Sequence, residues 1–507
     1  MHTSPRHTLR LRTACPRCHS AALTVSLALS LIMLAPRPCA AIDVYISPTG
    51  SDTAAGTPAA PMQTLKTALD AVLRAGPATP HAIVIAPGTY TPTVPLFIKD
   101  QSDPAITITL RAADPAQPPV LDGSALPKVA DSRTSDDALL TVRGGHFILH
   151  DLHFTRTPVN AVRVDGNAPL EVRRCIFSDI HGHAIRAAGI SESVIDSCTI
   201  KDIDGTGIWI YGGKRGTLTP SGIVISNNHV SNVNRWSAGG EVGNGIYVLG
   251  VGTIVRHNTV ENSVRTPWTP GIRVGGNNHL VEKNRLFHVS YGDCAAIYIG
   301  GFDLASRGNV VRFNYMEDCA NGVYLDDRAC GAIVTGNVIV KATNTGILIG
   351  GGQDNVITQN VVAQSDSFLR MDNRGMSWAP HQHPFKDDLS KLQTTLSDPV
   401  KKALYFKTFP TLATLSPENA LLPFNNTVSD NYADGNKSGL HYDDYDKVLK
   451  GKHQRAYEKW NKMKEPRSMN FPKNKSLDLT RLGAPGLNTD QLGAQPPAAI
   501  PAPARAR

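Results

Sequence analysis

Between residues 183 and 375 one short phrase keeps returning: a small residue, two apolar positions spaced by one, then a turn. It reads HAIRAAG (183–189), GIWIYGG (207–213), GIYVLGVG (245–252), GIRVGGNN (271–278), AIYIGGFD (296–303), GVYLDDRA (322–329), GILIGGGQD (346–354) and FLRMDNRG (368–375). The first apolar position falls at Val162, Ile185, Ile208, Ile246, Ile272, Ile297, Val323, Ile347 and Leu369. The steps are 22 to 26 residues, except for 38 between Ile208 and Ile246, where 213–222 and 235–244 read as inserted loops. A unit this short cannot close a core alone, so copies must stack, and a stack turns sequence spacing into distance. Within each phrase the apolar period is two, the period of a strand.

Each coil carries a second apolar run with a polar turn position, at Asp151, Cys175, Cys198, Asn228, Asn258, Asn284, Asn314, Asn337 and Asn360. Stacked asparagines can bond one another along such a ladder and satisfy polar groups inside the turn. A leucine-rich repeat would need a helical half-repeat and a leucine signature, and neither is present. The expected fold is all-β, a right-handed parallel β-helix with an N-terminal capping helix and a C-terminal helical or loop insertion.

Residues 1–41 are set aside as a signal peptide. Basic residues precede an apolar run from Ala21 to Ala35, and small residues follow, placing cleavage near Ala40 or Ala41. The run is shorter than the roughly 18 residues of a membrane span, so an anchor is the weaker reading. The expectation is a secreted or periplasmic protein, a monomer without membrane insertion. Five Arg and no acidic residue lie in the leader, so its removal takes the formal charge from +8 to +3. That balance gives no argument for nucleic acid. Five of the eight cysteines remain, an odd number at spacings that make no disulfide framework.

Residues 42–138 read as a cap and first coils, with helical apolar spacing at Leu65, Ala68, Leu69 and Val72. Such a helix covers the open end of a solenoid. Repeats occupy 139–376. Residues 377–483 read as helices and loop, in the role of a lid or a cap, followed by a returning coil. The Pro/Ala-rich stretch 484–507 reads as disordered.

Alternation then assigns faces. The apolar pairs point inward, leaving a first outward column of Arg163, Arg186, Trp209, Tyr247, Arg273, Tyr298, Tyr324, Leu348 and Arg370. The second column is Asp165, Ala188, Tyr211, Leu249, Gly275, Gly300, Asp326, Gly350 and Asp372. Asp326 and Asp372 stand two coils apart, roughly 9–10 Å between backbones at about 4.8 Å per coil. Two carboxyls so spaced suit glycoside hydrolysis, with a lean toward the inverting arrangement. The glycines would leave room for a sugar chain lying across the coils. Trp209, Tyr211, Tyr247, Tyr298 and Tyr324 offer faces for sugar rings. Arg273 and Arg370 could bind hydroxyls or a carboxylate, and Arg370 could hold Asp372 ionised. Asp327 beside Asp326 leaves open which of the two is the acid. An outward Asp372 predicts that Asp372→Asn abolishes activity and leaves folding intact.

The plainer readings are that Asp and Gly after a strand are turn residues, and that outward aromatics stack on each other. Asp303, Asp354 and Asn355 lie just past the same turns and could orient the acids or bind Ca²⁺. No recognisable calcium loop is present, so no metal is the expectation. His181 and His183 could bind a metal but read as turn filler. Cys175 and Cys198, on adjacent rungs, could be bonded or merely stacked.

DCAAIYIGGFDLASRGNVVRFNYMED (293–318), GVYLDDRACGAIVTGNVI (322–339), GILIGGGQDNVITQNVV (346–362) and MDNRGMSW (371–378) resemble glycoside hydrolase family 141-like proteins. FPTLATL (409–415) and LPFNNTVSDN (422–431) fit the segment that follows in that pattern. The resemblance implies a right-handed β-helix, hydrolysis of plant-type polysaccharide, and two catalytic aspartates. By motif these are Asp326 or Asp327 and Asp372. Cys330 stands where the pattern has Ser. Two alternatives compete: a lyase or epimerase on an acidic polymer of the pectate or alginate type, and a non-catalytic carbohydrate-binding β-helix. A lyase needs a base and a group that neutralises the uronate, and no Lys lies in the outward columns.

Overall fold

The computed structural model describes residues 41–468, apart from 77–79, 99–105, 130–131, 133–134, 167–168, 236–242, 264–267, 302 and 378–387. The expected signal peptide, but for Ala41, and the Pro/Ala-rich stretch 484–507 lie outside the described residues.

The chain winds as a right-handed parallel β-helix with three columns of strands, every strand pairing in parallel with its counterpart one coil away. One column runs from Asp43–Ile46 to Lys462–Met463. The other two fuse where Tyr315–Asp326 and Val338–Gly350 pass through a corner without a break. Inward positions such as Ile208, Ile246, Ile272, Ile297, Val323, Ile347 and Leu369 are fully buried in one continuous core. Period two therefore decided burial as it should in a strand packed on one face.

The register matches the expected columns. Arg163, Arg186, Trp209, Tyr247, Arg273, Tyr298, Tyr324, Leu348 and Arg370 pair successively along the stack. In the turn, the amide side chains of Asn228, Asn258, Asn284, Asn314, Asn337 and Asn360 each donate to the next asparagine at 2.9–3.0 Å. The series continues into Asn431, beyond the insertion. Cys175 and Cys198 occupy the same position on earlier coils as free, buried thiols; they stack and are not bonded.

Helix α1 (Leu65–Ala75) closes the N-terminal end and buries Leu65, Ala68, Leu69 and Val72. Thr64 caps it, its hydroxyl accepting from the Thr67 N–H at 3.2 Å. Each large apolar side chain so covered contributes roughly 1.5–3 kcal/mol.

The chain leaves the solenoid after the one-turn helix α2 (Arg374–Ser377). Two helices of the excursion, α3 (Asp388–Thr395) and α4 (Pro399–Thr408), pack with Leu412 onto Leu218, Leu304, Ala305 and Cys330 in a separate apolar cluster. The excursion thus seats on turns at the flank of the coils. The Tyr405 hydroxyl fastens it to the Arg215 carbonyl at 2.8 Å. Strand pairing resumes at Thr427–Ser429.

Candidate active site

The strand Tyr315–Asp326 ends in a turn that Asp327 and Arg328 enter with φ of 47° and 64°. Two successive non-glycine residues in the left-handed region cost energy that the surroundings must supply. Here the Arg328 N–H donates to the Gly350 carbonyl at 2.8 Å, and its buried guanidinium donates to the Ala420 carbonyl in the excursion. The turn swings both carboxylates, Asp326 and Asp327, to the same side of the solenoid.

Arg374, from helix α2, is the hub. Its guanidinium donates to Asp372 Oδ1 at 2.9 Å and Oδ2 at 2.5 Å, to the Tyr324 hydroxyl at 2.9 Å, and to Asp326 Oδ1. Asp327 Oδ1 lies 3.7 Å from the nitrogen that serves Asp326. Asp326 also receives the Tyr298 hydroxyl at 2.6 Å and the Asp327 N–H at 2.7 Å. Asp293, in the loop before Ala295–Gly300, stands exposed at the lip of this cluster.

Burial, and then repulsion from Asp326, pushes the Asp327 carboxyl up to about 7. The same two causes raise Asp293, since even at the lip its carboxyl lies against protein. Burial also pushes Asp372 up, against the pull of Arg374. Burial opposes the charge on Arg374, but Asp372 and Asp326 more than offset it and hold the guanidinium protonated. Tyr298, raised by burial and by Asp326, remains a hydrogen-bond donor.

Several expectations need correction. Asp372 does not face outward: it is 0 % exposed and sealed behind Arg374, so it is a buried counter-ion. The half-buried acids beside Arg374 are Asp326 and Asp327, adjacent in sequence, and the spacing argument across two coils, with its lean to inversion, falls with that. Gly350 makes no room for sugar, because a Cβ there would meet the Arg374 Cζ at 2.7 Å. Arg370 does not hold Asp372. It pairs with Asp443 at 2.6 Å and Asn344 at 2.9 Å. Tyr324 is 2 % exposed and offers no open face.

The remaining residues divide. Asp303 pairs with Arg215 at 2.6 Å and Asp354 with Arg307 at 2.5 Å. Asn355 belongs to a second asparagine ladder, donating to Asn426 at 2.9 Å. None of the three gathers at the acids, and among the described residues no three His, Cys, Asp or Glu side chains are arranged to hold a metal ion. Trp209, Tyr247, Arg273 and Tyr298 do form one continuous surface. Trp209 meets Tyr247 edge-on at 6.3 Å, and Arg273 lies over Tyr247 and Tyr298 at 4.9 and 5.3 Å. Tyr211, 41 % exposed, flanks it. Alternation missed Arg374 and Asp293 because both lie outside strands. The RG that follows Asp372 in the sequence was the available signal for the first.

A model described as "Right handed beta helix region" matches residues 160–362. Over 87 residues the chain is 37% identical to a pectate lyase, PEL9, of Emericella nidulans, a match that spans 17% of this chain and only 20% of that relative's length. Among solved structures, a GH136 lacto-N-biosidase from Eubacterium ramulus aligns at 12% identity and a TM-score of 0.44, over 65% of this chain and 64% of its own. XylC in complex with xylose aligns at 10% identity and a TM-score of 0.49, over 86% and 87%. An alginate lyase from Paenibacillus sp. aligns at 16% identity and a TM-score of 0.34, over 65% and 97%.

Proposed function

We propose that this chain is an exported glycoside hydrolase that cuts a polysaccharide at the Asp326/Asp327 pair. The observation that carries the reading is the asymmetry of two neighbouring carboxyls. Asp327 is raised to about 7 and can keep a proton to give to a leaving sugar oxygen. Asp326, which accepts from Tyr298 and Arg374, is positioned as the partner that activates water or attacks the sugar. Trp209 and Tyr211, on the same face and at least partly exposed, supply rings on which sugars can lie. Asp372 and Arg374 support the pair from behind and touch no substrate.

A lyase acting on an acidic polymer is the second reading, favoured by the local identity to a pectate lyase. The electrostatics favour the hydrolase. Asp326 and Asp293 put negative charge at the point of attack, which repels a uronate there unless a cation intervenes.

The test is a screen of xylan, pectin and alginate fragments with and without EDTA. New reducing ends without the ultraviolet absorbance of an unsaturated uronide support hydrolysis. Absorbance that grows and is abolished by EDTA overturns it in favour of the lyase. For a hydrolase, Asp327→Asn lowers kcat/KM by about 10²–10⁴-fold, the usual contribution of a proton donor. Since Asp327 acts protonated, wild-type activity falls as pH rises through about 7, and that alkaline limb disappears in the variant.

A further inference from the structure

The guanidinium groups along the groove face are nearly all spoken for. Arg163 pairs with Asp165 at 2.8 Å and Arg186 with Asp136. Arg370 is taken by Asp443, and Arg374 by the acids. Among the described residues Arg273 has no carboxylate partner. It is half-buried, and the rings of Tyr247 and Tyr298 clamp its guanidinium at 4.9 and 5.3 Å. A clamp of this kind fixes the plane of the group and leaves its N–H donors unspent.

The floor beside it is apolar. The next outward position on the same strand is Gly275, and the Leu249 side chain from the neighbouring strand lies over it, its Cδ2 2.8 Å from where a Cβ would stand. Along the stack, Arg273 pairs with Tyr298, and Tyr298 pairs with Tyr324 on the strand that ends in Asp326. Two strand steps of about 4.8 Å place Arg273 about 10 Å from the acids.

We propose that Arg273 is the carboxylate-binding residue of a subsite for a uronic acid residue of the same polysaccharide chain that is cut at Asp326 and Asp327. The assignment rests on the hydrolase reading above and narrows its substrate class. The planar fork of Arg273 matches a sugar carboxylate in two parallel hydrogen bonds. At the other end of the groove, Asp326 and Asp293 disfavour a sugar carboxylate. Opposite charges at the two positions sort the chain: a neutral sugar over the acids, an acidic one over Arg273. The substrate class is a mixed polysaccharide in which neutral and uronic acid sugars share one chain.

The experiment compares acidic xylan and pectin oligosaccharides with the same pools after chemical reduction of their carboxyl groups. The readout is the ratio of kcat/KM on unreduced and reduced pools. Wild type favours the unreduced pool by about tenfold or more, the discrimination of one charge-assisted contact. Arg273→Met brings the ratio close to one, and Arg273→Lys, which keeps charge without the fork, lies between. Equal turnover of both pools by wild type, or a preference that survives Arg273→Met, overturns the subsite and leaves the hydrolase standing. Absence of cleavage on every pool overturns the hydrolase reading instead. The subsite is then decided by affinity electrophoresis of wild type and Arg273→Met in gels containing each pool, where the same ratio is expected and its absence rejects the assignment.

Discussion

The long asparagine ladder and the acid cluster both bury polar side chains in this solenoid, and they are built on opposite rules. In the asparagine ladder from Asn228 to Asn431 each member is neutral, fills the same position on its coil, and bonds its neighbour along the stack. At the acid cluster three carboxylates share one guanidinium, and Asp326 and Asp372, although in one outward column, differ in setting, Asp372 fully buried and Asp326 half-buried. The ladder satisfies every group and leaves nothing over. The cluster holds like charges in a buried place, and burial first, then repulsion from Asp326, raises Asp327. Repetition yields stability, and a break in repetition yields a poised group.

Removing a charge from the cluster is the most severe way to break this contrast. Asp372→Ala strips Arg374 of its buried partner and costs about 3–5 kcal/mol, seen as a large fall in Tm by circular dichroism. A melt indistinguishable from wild type would return Asp372 to the solvent-facing role that alternation assigned it. Next comes a rung of the ladder. Asn314 donates to Val281 and Arg312 carbonyls at 3.0 Å and accepts from Asn284. Asn314→Ala orphans those groups at a cost of about 1–3 kcal/mol for each one left unpaired, measured by denaturant unfolding, with activity per folded molecule unchanged.

The mildest change sharpens the contrast. Gly350→Ala alters no charge, yet its Cβ would meet the Arg374 Cζ at 2.7 Å and Nε at 2.9 Å. Such overpacking costs about 1–3 kcal/mol. Arg374 is among the groups that lower the Asp327 carboxyl, so displacing it lets that carboxyl rise further. The alkaline limb of the activity profile therefore moves to higher pH in Gly350→Ala. An unchanged limb would show that Arg374 has no hold on Asp327.

The solenoid was legible because its rule is local: period two places Ile297 and Ile299 inward wherever the coil sits. The ladder followed from one position recurring. The site was only half legible, since alternation gives the face of a side chain but not what later covers it. Asp372 was assigned to its column, but Arg374, two residues on in a one-turn helix, folds back over it. Arg370 was assigned to its column too, and its partner Asp443 comes from beyond the excursion. Asp293 and the strained pair Asp327–Arg328 sit where the period lapses. For Asp372 the missing contact comes from just past the strand's end, and for Arg370 it comes from a residue distant in sequence.

The excursion between Gly375 and Thr427 also sets an order of assembly. Successive rungs such as Asn314, Asn337 and Asn360 are bridged by closing loops of 23 residues, but the step from Asn360 to Asn431 spans 71. The longer closure costs only about 1 kcal/mol more in chain entropy, yet it raises the local contact order, which slows pairing. The coils that follow carry Asp443, Asp444 and Tyr445, which hold Arg370 and Asn373 on either side of Asp372. Coils up to Asn360 can therefore zip by short steps, while the backing of the acid cluster arrives in a separate, slower event. During synthesis, the capacity for catalysis would lag behind the appearance of a folded solenoid.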